Sequence, residues 1–221
     1  MTTTPQWTFA DVGEGGLLIG RAPATGDYAG RLRELARRLL ADHLPGVYDY
    51  VPASTTLLLC YDSLTISRAA LVEQVCRYED VVPPVVATSR TISITVEYGG
   101  RAGPDLEEVA AATGLTLAEV VRLHTAAPFP VEMIGFMPGF PYLGGLPVVL
   151  NLPRRSVPRV MVPAGSVAIA NGRSGIYPAA APGGWHLIGR TTVLLFDPER
   201  EPPALLAPGD YVQFVAQATH F

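Results

Sequence analysis

The sequence predicts a mixed α+β protein whose first part is a ferredoxin-like, split βαβ unit and whose second part is a small β-barrel or sandwich. Apolar residues recur at helical spacing in two stretches of the first half, with extended runs between them. From Pro128 onward the text changes to short β runs separated by Pro/Gly turns. The 221 residues are 48% hydrophobic and 16% charged with a mean hydropathy of +0.26, the composition of a chain that buries a large core.

In order along the chain, WTFADV and GGLLIG predict a first strand or hairpin, followed by a helix over Gly26 to His43. There Leu32, Leu35, Ala36, Leu39, Leu40 and His43 recur at helical spacing until Pro45-Gly46 stops them. VYDYV and TTLLLCY read as two strands around a turn at Pro52 to Ser54. Ser67 caps a second helix with an apolar face of Leu71, Val72, Val75 and Cys76. Thr91 to Tyr98 alternates strictly, with Ile92, Ile94, Val96 and Tyr98 on one face, and closes a strand, helix, strand, strand, helix, strand series over residues 1–98. A helical connector over 99–124 follows. Pro104 opens it, Asp105, Glu107 and Glu108 sit at the positive end of its dipole, Gly114 ends its first helix, and Thr116 with Glu119 forms a capping box for the second. LEEVAAATGLTLAEVVRLH resembles a DNA-binding helix-turn-helix, but the first helix is acidic and the second offers Arg122 alone, so a helical bridge between two β-rich units is the expected role. Residues 125–221 form the β-rich unit, with VVL, VMV, SVAIA, HLIG, TVLLF and YVQFV as strands. Turns are expected at Val162-Pro163-Ala164-Gly165 and, in type II form, at Pro182-Gly183.

Composition excludes several functions. No lysine is present, because all 16 basic residues are arginine, so a Walker A loop, a Schiff base and a lysine nucleophile are ruled out. A pI near 5.5 argues against general nucleic-acid binding. No apolar run reaches about 18 residues, and MTTTPQ lacks signal-peptide features, so a cytoplasmic protein is expected. Cys60 and Cys76 read as small core residues.

The segment from Met133 to Phe196 holds five arginines (Arg154, Arg155, Arg159, Arg173, Arg190) and no Asp or Glu, in a chain of net charge −4. Guanidinium forks without competing carboxylates suit an anion. A base needed there must come from elsewhere in the chain, the substrate or a partner. The same segment stiffens its loops with Pro and Gly and carries Phe136, Phe140, Tyr142 and Trp185, the walls of a preorganised pocket with charged anchors.

The blocks GFMPGFPYLGGLP, LPRRSVPRVMVPAGSVAIA, GIYPAAAPGGWHLIGRT and LLFDPE…LLAPGDYVQF, in this order, resemble the signature of the KipI family, which is also named for the B subunit of 5-oxoprolinase and for the first subunit of allophanate hydrolase. The resemblance implies an N-terminal α+β domain and a C-terminal cyclophilin-like β-barrel. It also implies one subunit of an ATP-dependent lactam hydrolase, inactive without partners, that opens 5-oxoproline to L-glutamate. The implied site is composite, shared with the C subunit of 5-oxoprolinase. The A subunit is needed for the full reaction, and ATP, with magnesium, is bound in the assembled complex. Alternatives within the resemblance are a regulator inhibiting a sensor histidine kinase and a carboxyltransferase-type subunit for urea or a related amide. Arg173-Ser174 stands where a Gln-Thr pair is common, and Ala181 where Ser often precedes PGGW.

Among site candidates, His124 matches the histidine ahead of the family's GF-x-PGF block, as acid/base or anion ligand, or else it caps its helix. Arg155 and Arg159 share a face of an extended entry and join it as the expected catalytic set, with Arg154 pointing elsewhere. Phe136, Phe140, Tyr142, Arg154, Arg173, His186 and Arg190 are the expected substrate- or nucleotide-binding set. His186 and Arg190 are expected on one side of their strand, with Trp185 turned away into the barrel core. Glu132 and Asp210 are the barrel's available carboxylates, Asp210 closing a turn, and no metal-ligand cluster is predicted. The loop from Phe136 to Tyr142 is expected to dock the C subunit.

Overall fold

The computed structural model describes residues 7–21, 28–78 and 90–217. The chain divides into two compact units, Met1–Ala87 and Thr88–Phe221.

The first unit runs β1 (Trp7–Val12), β2 (Gly16–Arg21), α1 (Tyr28–Ala41), β3 (Val47–Pro52), β4 (Thr56–Tyr61) and α2 (Arg68–Cys76). Its sheet has the order β1-β2-β4-β3 with every neighbouring pair antiparallel. Alternation decides which face is covered: Leu57, Leu59 and Tyr61 of β4 and Leu17 and Ile19 of β2 point into one core, where Leu32, Leu35 and Leu39 of α1 and Leu71 and Val75 of α2 meet them. Ser67 caps α2 through the Ala70 amide, as the sequence predicts. The cysteines depart from expectation. Cys60 is half-buried and Cys76 exposed, since α2 turns only Leu71 and Val75 fully inward.

The expected boundary at residue 98 is corrected. β5 (Thr91–Tyr98) does not close the first sheet; it lies in the second unit, parallel to β13 (Tyr211–Ala216) along its length and antiparallel to β12 (His186–Arg190). Without it the first unit is, among the described residues, a ββαββα arrangement rather than a split βαβ. Local alternation announces a half-buried strand but says nothing about which sheet receives it.

β5, β13 and β12 close a seven-stranded barrel with β6 (Phe129–Ile134), β7 (Pro141–Leu143), β9 (Ser166–Ala170) and β10 (Arg173–Ile176), in the order β10-β7-β6-β13-β5-β12-β9. β8 (Arg159–Val162) and β11 (Ala181–Gly183) form a separate two-stranded ribbon. α3 (Leu106–Thr113) packs on β12, and α4 (Leu117–Thr125) packs on β13. The connector is thus part of the barrel unit. Gly114 ends α3 in the left-handed region, and the Thr116–Glu119 capping box starts α4. The barrel interior is filled by Ile94, Val96, Phe129, Leu143, Val167, Ile169, Ile176, Ile188 and Phe214, against Val109 and Val120 of the two helices.

A second layer coats the outside of the barrel. Phe140, Tyr177, Trp185, Val162 and Leu187 pack over Ala168 and Ala170 of β9. β9 is buried on both faces, which is why it reads SVAIA: branched residues go inward, and alanines outward leave room for rings. Gly175 serves the same end, because a Cβ there would lie 2.8 Å from the Phe140 ring. Two expected strands are not strands. VVL forms a 3₁₀ turn at Val148–Leu150 behind Pro147, and TVLLF runs irregularly apart from one bridge, Phe196 to Ala204. Pro182-Gly183 lies within β11 instead of a type II turn, whereas Gly165, at φ 79°, makes the expected turn after Val162. Among the described residues no helix is long and apolar enough to cross a membrane.

Candidate functional site on the outer face of the barrel

The structure sorts the expected site residues into three groups. His124 stands alone inside the barrel. It is fully buried, its ring stacks on Phe214 at 4.5 Å, and both ring nitrogens are occupied: Nδ1 lies 2.8 Å from the Tyr98 hydroxyl and Nε2 lies 2.9 Å from Ser174 Oγ. Ser174 donates onward to the Ala168 carbonyl at 3.2 Å, so its oxygen accepts from Nε2–H and the Tyr98 hydroxyl donates to Nδ1. Burial pushes the imidazole down to about 3 and keeps it neutral. His124 therefore neither caps its helix nor faces a ligand; it is a tautomer-fixed polar brace. The serine at 174, for all that it replaces the commoner threonine, keeps the hydroxyl this brace needs.

Arg155 and Arg159 form the second group, around a carboxylate that sequence reasoning assigned to the helix dipole. Asp105 is 3% exposed and precedes α3. Arg159 grips it with two bonds, Nη1 to Oδ2 at 2.8 Å and Nη2 to Oδ1 at 2.6 Å. Arg155 Nη1 adds a bond to Oδ1 at 3.0 Å, and the Leu187 amide donates to Oδ2 at 2.7 Å. Arg155 Nη1 also meets Glu108 at 2.6 Å. His186, 6% exposed, donates from Nε2 to the Pro153 carbonyl at 2.9 Å and keeps Nδ1 at 3.9 Å from Glu108. The RRSVPR stretch is thus clamped onto the start of α3. The sharing of a face by Arg155 and Arg159 holds, but what they share is Asp105. No local sequence signal marks this clamp, since its partners lie about 50 residues apart.

The third group is the outer aromatic layer. Phe140, expected on an open docking loop, is 2% exposed and packs edge-on against Tyr142 at 5.0 Å, Tyr177 at 5.2 Å and Trp185 at 5.8 Å. Trp185 belongs here and not to the barrel core: two residues before Leu187, it alternates with that residue onto the outer layer. Phe136 is different. It is 60% exposed, holds a left-handed φ of 70° that phenylalanine rarely adopts, and meets Phe140 at 5.4 Å and Tyr177 at 6.2 Å edge-on. Arg173 Nε bonds Glu132 at 2.8 Å, beside Gly144, where any Cβ would collide with that carboxylate. Arg190 is exposed, donates to the Ala164 carbonyl at 3.0 Å, and lines a groove of about 440 Å³ with Thr95, Glu97 and Thr192. It does not share a side with His186, because a bulge between Leu187 and Gly189 breaks strict alternation in β12. Arg154 is exposed and has no hydrogen-bond or ion-pair partner among the described residues. Asp210 closes its turn through the Ala207 amide, as expected, and also binds Arg90 at 2.6 Å.

The acid-free, arginine-bearing segment thus receives its carboxylates from outside itself: Asp105 and Glu108 at the start of α3, and Glu132 on β6. What remains accessible is Phe136 with part of Tyr142, and Arg154, which has no hydrogen-bond or ion-pair partner among the described residues.

Residues 7–206 match the profile of the family described as carboxyltransferase domain, subdomain C and D. The chain is 46% identical to the 5-oxoprolinase B subunit of Escherichia coli O157:H7 over 190 residues, 85% of either chain. It is 42% identical to the 5-oxoprolinase B subunit of Bacillus subtilis (strain 168) over 182 residues, 77% of this chain and 76% of that one. The crystal structure of TTHA0988 superposes with a TM-score of 0.79 at 39% identity over 93% of this chain, which spans 40% of that longer chain. The chain belongs to the carboxyltransferase-domain family and, within it, to the family of 5-oxoprolinase B subunits that its sequence blocks resemble.

Proposed function

We propose that this chain is the B-type subunit of a 5-oxoprolinase, an ATP-dependent lactam hydrolase, and that it presents the outer aromatic face of its barrel to a site completed by the companion C and A subunits. The observation that carries the proposal is the 46% identity to a 5-oxoprolinase B subunit over 85% of both chains. The geometry supports a shared site: four of the five arginines of the acid-free segment are committed within the chain, and the fifth, Arg154, has no partner among the described residues.

In the proposed reaction one water opens the lactam C–N bond, giving the carboxylate and ammonium of L-glutamate, while a second water's worth of hydrolysis converts ATP to ADP and phosphate. This chain's part is to bind and orient. Phe136, with the partly exposed Tyr142, offers apolar contact to a small ring, and Arg154 offers a fork to a carboxylate. With no lysine and no P-loop, this chain would meet the phosphates of ATP and magnesium only through guanidinium, hydroxyl and backbone groups, leaving the metal's ligands to its companions.

The test is reconstitution. The purified chain alone should release no glutamate from 5-oxoproline with ATP, and the complex co-produced with both companions should release it. Turnover by the isolated chain would overturn the shared site, and an inert complete complex would overturn the assigned reaction.

A further inference from the structure

Tyr177 combines burial with an unanswered polar group. Its ring is 2% exposed and is wedged edge-on between Phe136 and Phe140, while its backbone is fixed on both sides, the amide donating to Ser166 at 3.0 Å and the carbonyl accepting from Gly165 at 2.7 Å. Yet the hydroxyl has no hydrogen-bond partner among the described residues. A phenol held this rigidly normally finds a partner within the protein.

The surroundings of that hydroxyl say what would answer it. Gly183 of β11 lies directly over it: a Cβ there would stand 2.3 Å from the oxygen, so the only side chain that leaves the oxygen open is none at all. Arg154 stands beside the Gly183-Gly184 pair, since the amide of the next residue, Arg155, donates to the Gly184 carbonyl at 2.8 Å, and its charge, with that of Arg159, bears on the phenol. Arg159 is spent on Asp105, and Arg154 is free among the described residues. The unit's nearby carboxylates are already neutralised, Asp105 and Glu108 by Arg155 and Arg159, and Glu132 by Arg173. A fixed neutral donor, a free guanidinium and a net positive field, walled by aromatic rings, suit an oxyanion and repel a cation. Burial raises the phenol's pKa and so keeps it a donor at neutral pH.

We infer that the Tyr177 hydroxyl and the Arg154 guanidinium form an oxyanion subsite, entered over Gly183, for a carboxylate or phosphate group. The existence of the subsite stands on the geometry, whereas its assignment to the carboxylate of 5-oxoproline or to a phosphate of ATP rests on the proposed function. Tyr177 is a binding residue, and the glycine pair of PGGW has a role beyond turn-making, since Gly183 holds the entrance open.

The test uses the full chain and its complex with the companion subunits, each titrated calorimetrically with 5-oxoproline and, separately, with inorganic phosphate. Saturable binding of one or both is expected, and which of them binds identifies the source of the oxyanion. Tyr177→Phe removes only the hydroxyl and should weaken that binding about ten- to a hundredfold. The melting temperature should not move, because the hydroxyl has no internal partner to lose. Arg154→Met should weaken binding in the same direction, and Gly183→Ala should abolish it by closing the entrance. Binding by Tyr177→Phe within twofold of the unsubstituted protein, or no saturable binding of either anion by chain or complex, would overturn the subsite. An active complex whose KM for both 5-oxoproline and ATP is unchanged by Tyr177→Phe removes the subsite and leaves the proposed reaction standing. Binding that depends on Tyr177 in a complex that releases no glutamate does the reverse.

Discussion

Tyr98 and Tyr177 are each 2% exposed, sit in the same barrel unit and pack edge-on against other rings, His124 for Tyr98 and Phe140 for Tyr177, but they do opposite things with their hydroxyls. Tyr98 faces inward and ends a closed chain of donors and acceptors, Tyr98 to His124 to Ser174 to the Ala168 carbonyl. Tyr177 faces outward and its hydroxyl has no partner among the described residues. The arginines divide in the same way: Arg159 closes on Asp105 with two bonds, and Arg154, five residues earlier, closes on nothing described. Residue type and burial do not distinguish scaffold from site in this protein. Satisfaction does: groups whose bonds close within the chain hold the fold, and groups left open are those available to a ligand.

The largest effect is expected at the most completely satisfied group. Asp105→Ala deletes the acceptor of Arg155, Arg159 and the Leu187 amide at once, leaving two guanidinium groups and a buried N–H without their partner. A loss of about 3–5 kcal/mol of stability is expected, read from denaturant unfolding. A loss below about 1 kcal/mol would show that the clamp is a surface feature and would blur the division between scaffold and site.

The interior chain of hydrogen bonds gives a smaller effect with a pH signature. His124 is held at about 3 in the folded protein, below its free value of about 6.5. The unfolded chain therefore takes up a proton first as the pH falls. This contribution to stability is complete above about pH 6.5 and is lost progressively toward pH 3, with a slope of up to about 1.4 kcal/mol per pH unit. Urea midpoints at pH 7.5 and 5.5 should show the decline in the unsubstituted protein and a flatter dependence in His124→Gln; equal slopes would place the titration elsewhere. Tyr98→Phe leaves Nδ1 buried without a donor and should cost about 1–3 kcal/mol, in contrast to the thermally silent Tyr177→Phe.

Much of this scaffold is legible in the sequence. Helix limits follow from Ser67, Gly114 and the Thr116–Glu119 box because capping is settled within one turn of chain, and the β-rich second half follows from the density of Pro and Gly. The fate of β5 is not legible, since a strand with one apolar face fits the edge of either unit and only long-range pairing with β13 decides. The site is legible as a composition, arginines and aromatics without acids, but not as an arrangement. Asp105 looks like a helix-dipole residue until the chain brings Arg155 and Arg159 back to it, and Tyr177, though it lies in the block GIYPAAAPGGWHLIGRT, is not singled out there by its chemistry, so its importance emerges only when its hydroxyl is seen to lack a partner among the described residues.

The smallest expected effect tests the division most sharply, because it sets two arginines of one short stretch against each other. Arg159→Ala breaks two charge-assisted bonds to a carboxylate that is 3% exposed, and should cost about 1–3 kcal/mol even though Arg155 and the Leu187 amide still hold Asp105. Sequence alone predicts that folding survives such a change and that only catalysis suffers; the clamp predicts that stability suffers too. Arg154→Met keeps the length and apolar stem of an exposed side chain that bonds nothing described, and its stability should stay within about 0.5 kcal/mol of the unsubstituted protein. Thermal melts of the two variants side by side decide the matter. If Arg154→Met melts as early as Arg159→Ala, then Arg154 is a second structural arginine, the guanidinium is not free for a ligand, and an open bond in this fold no longer marks a site.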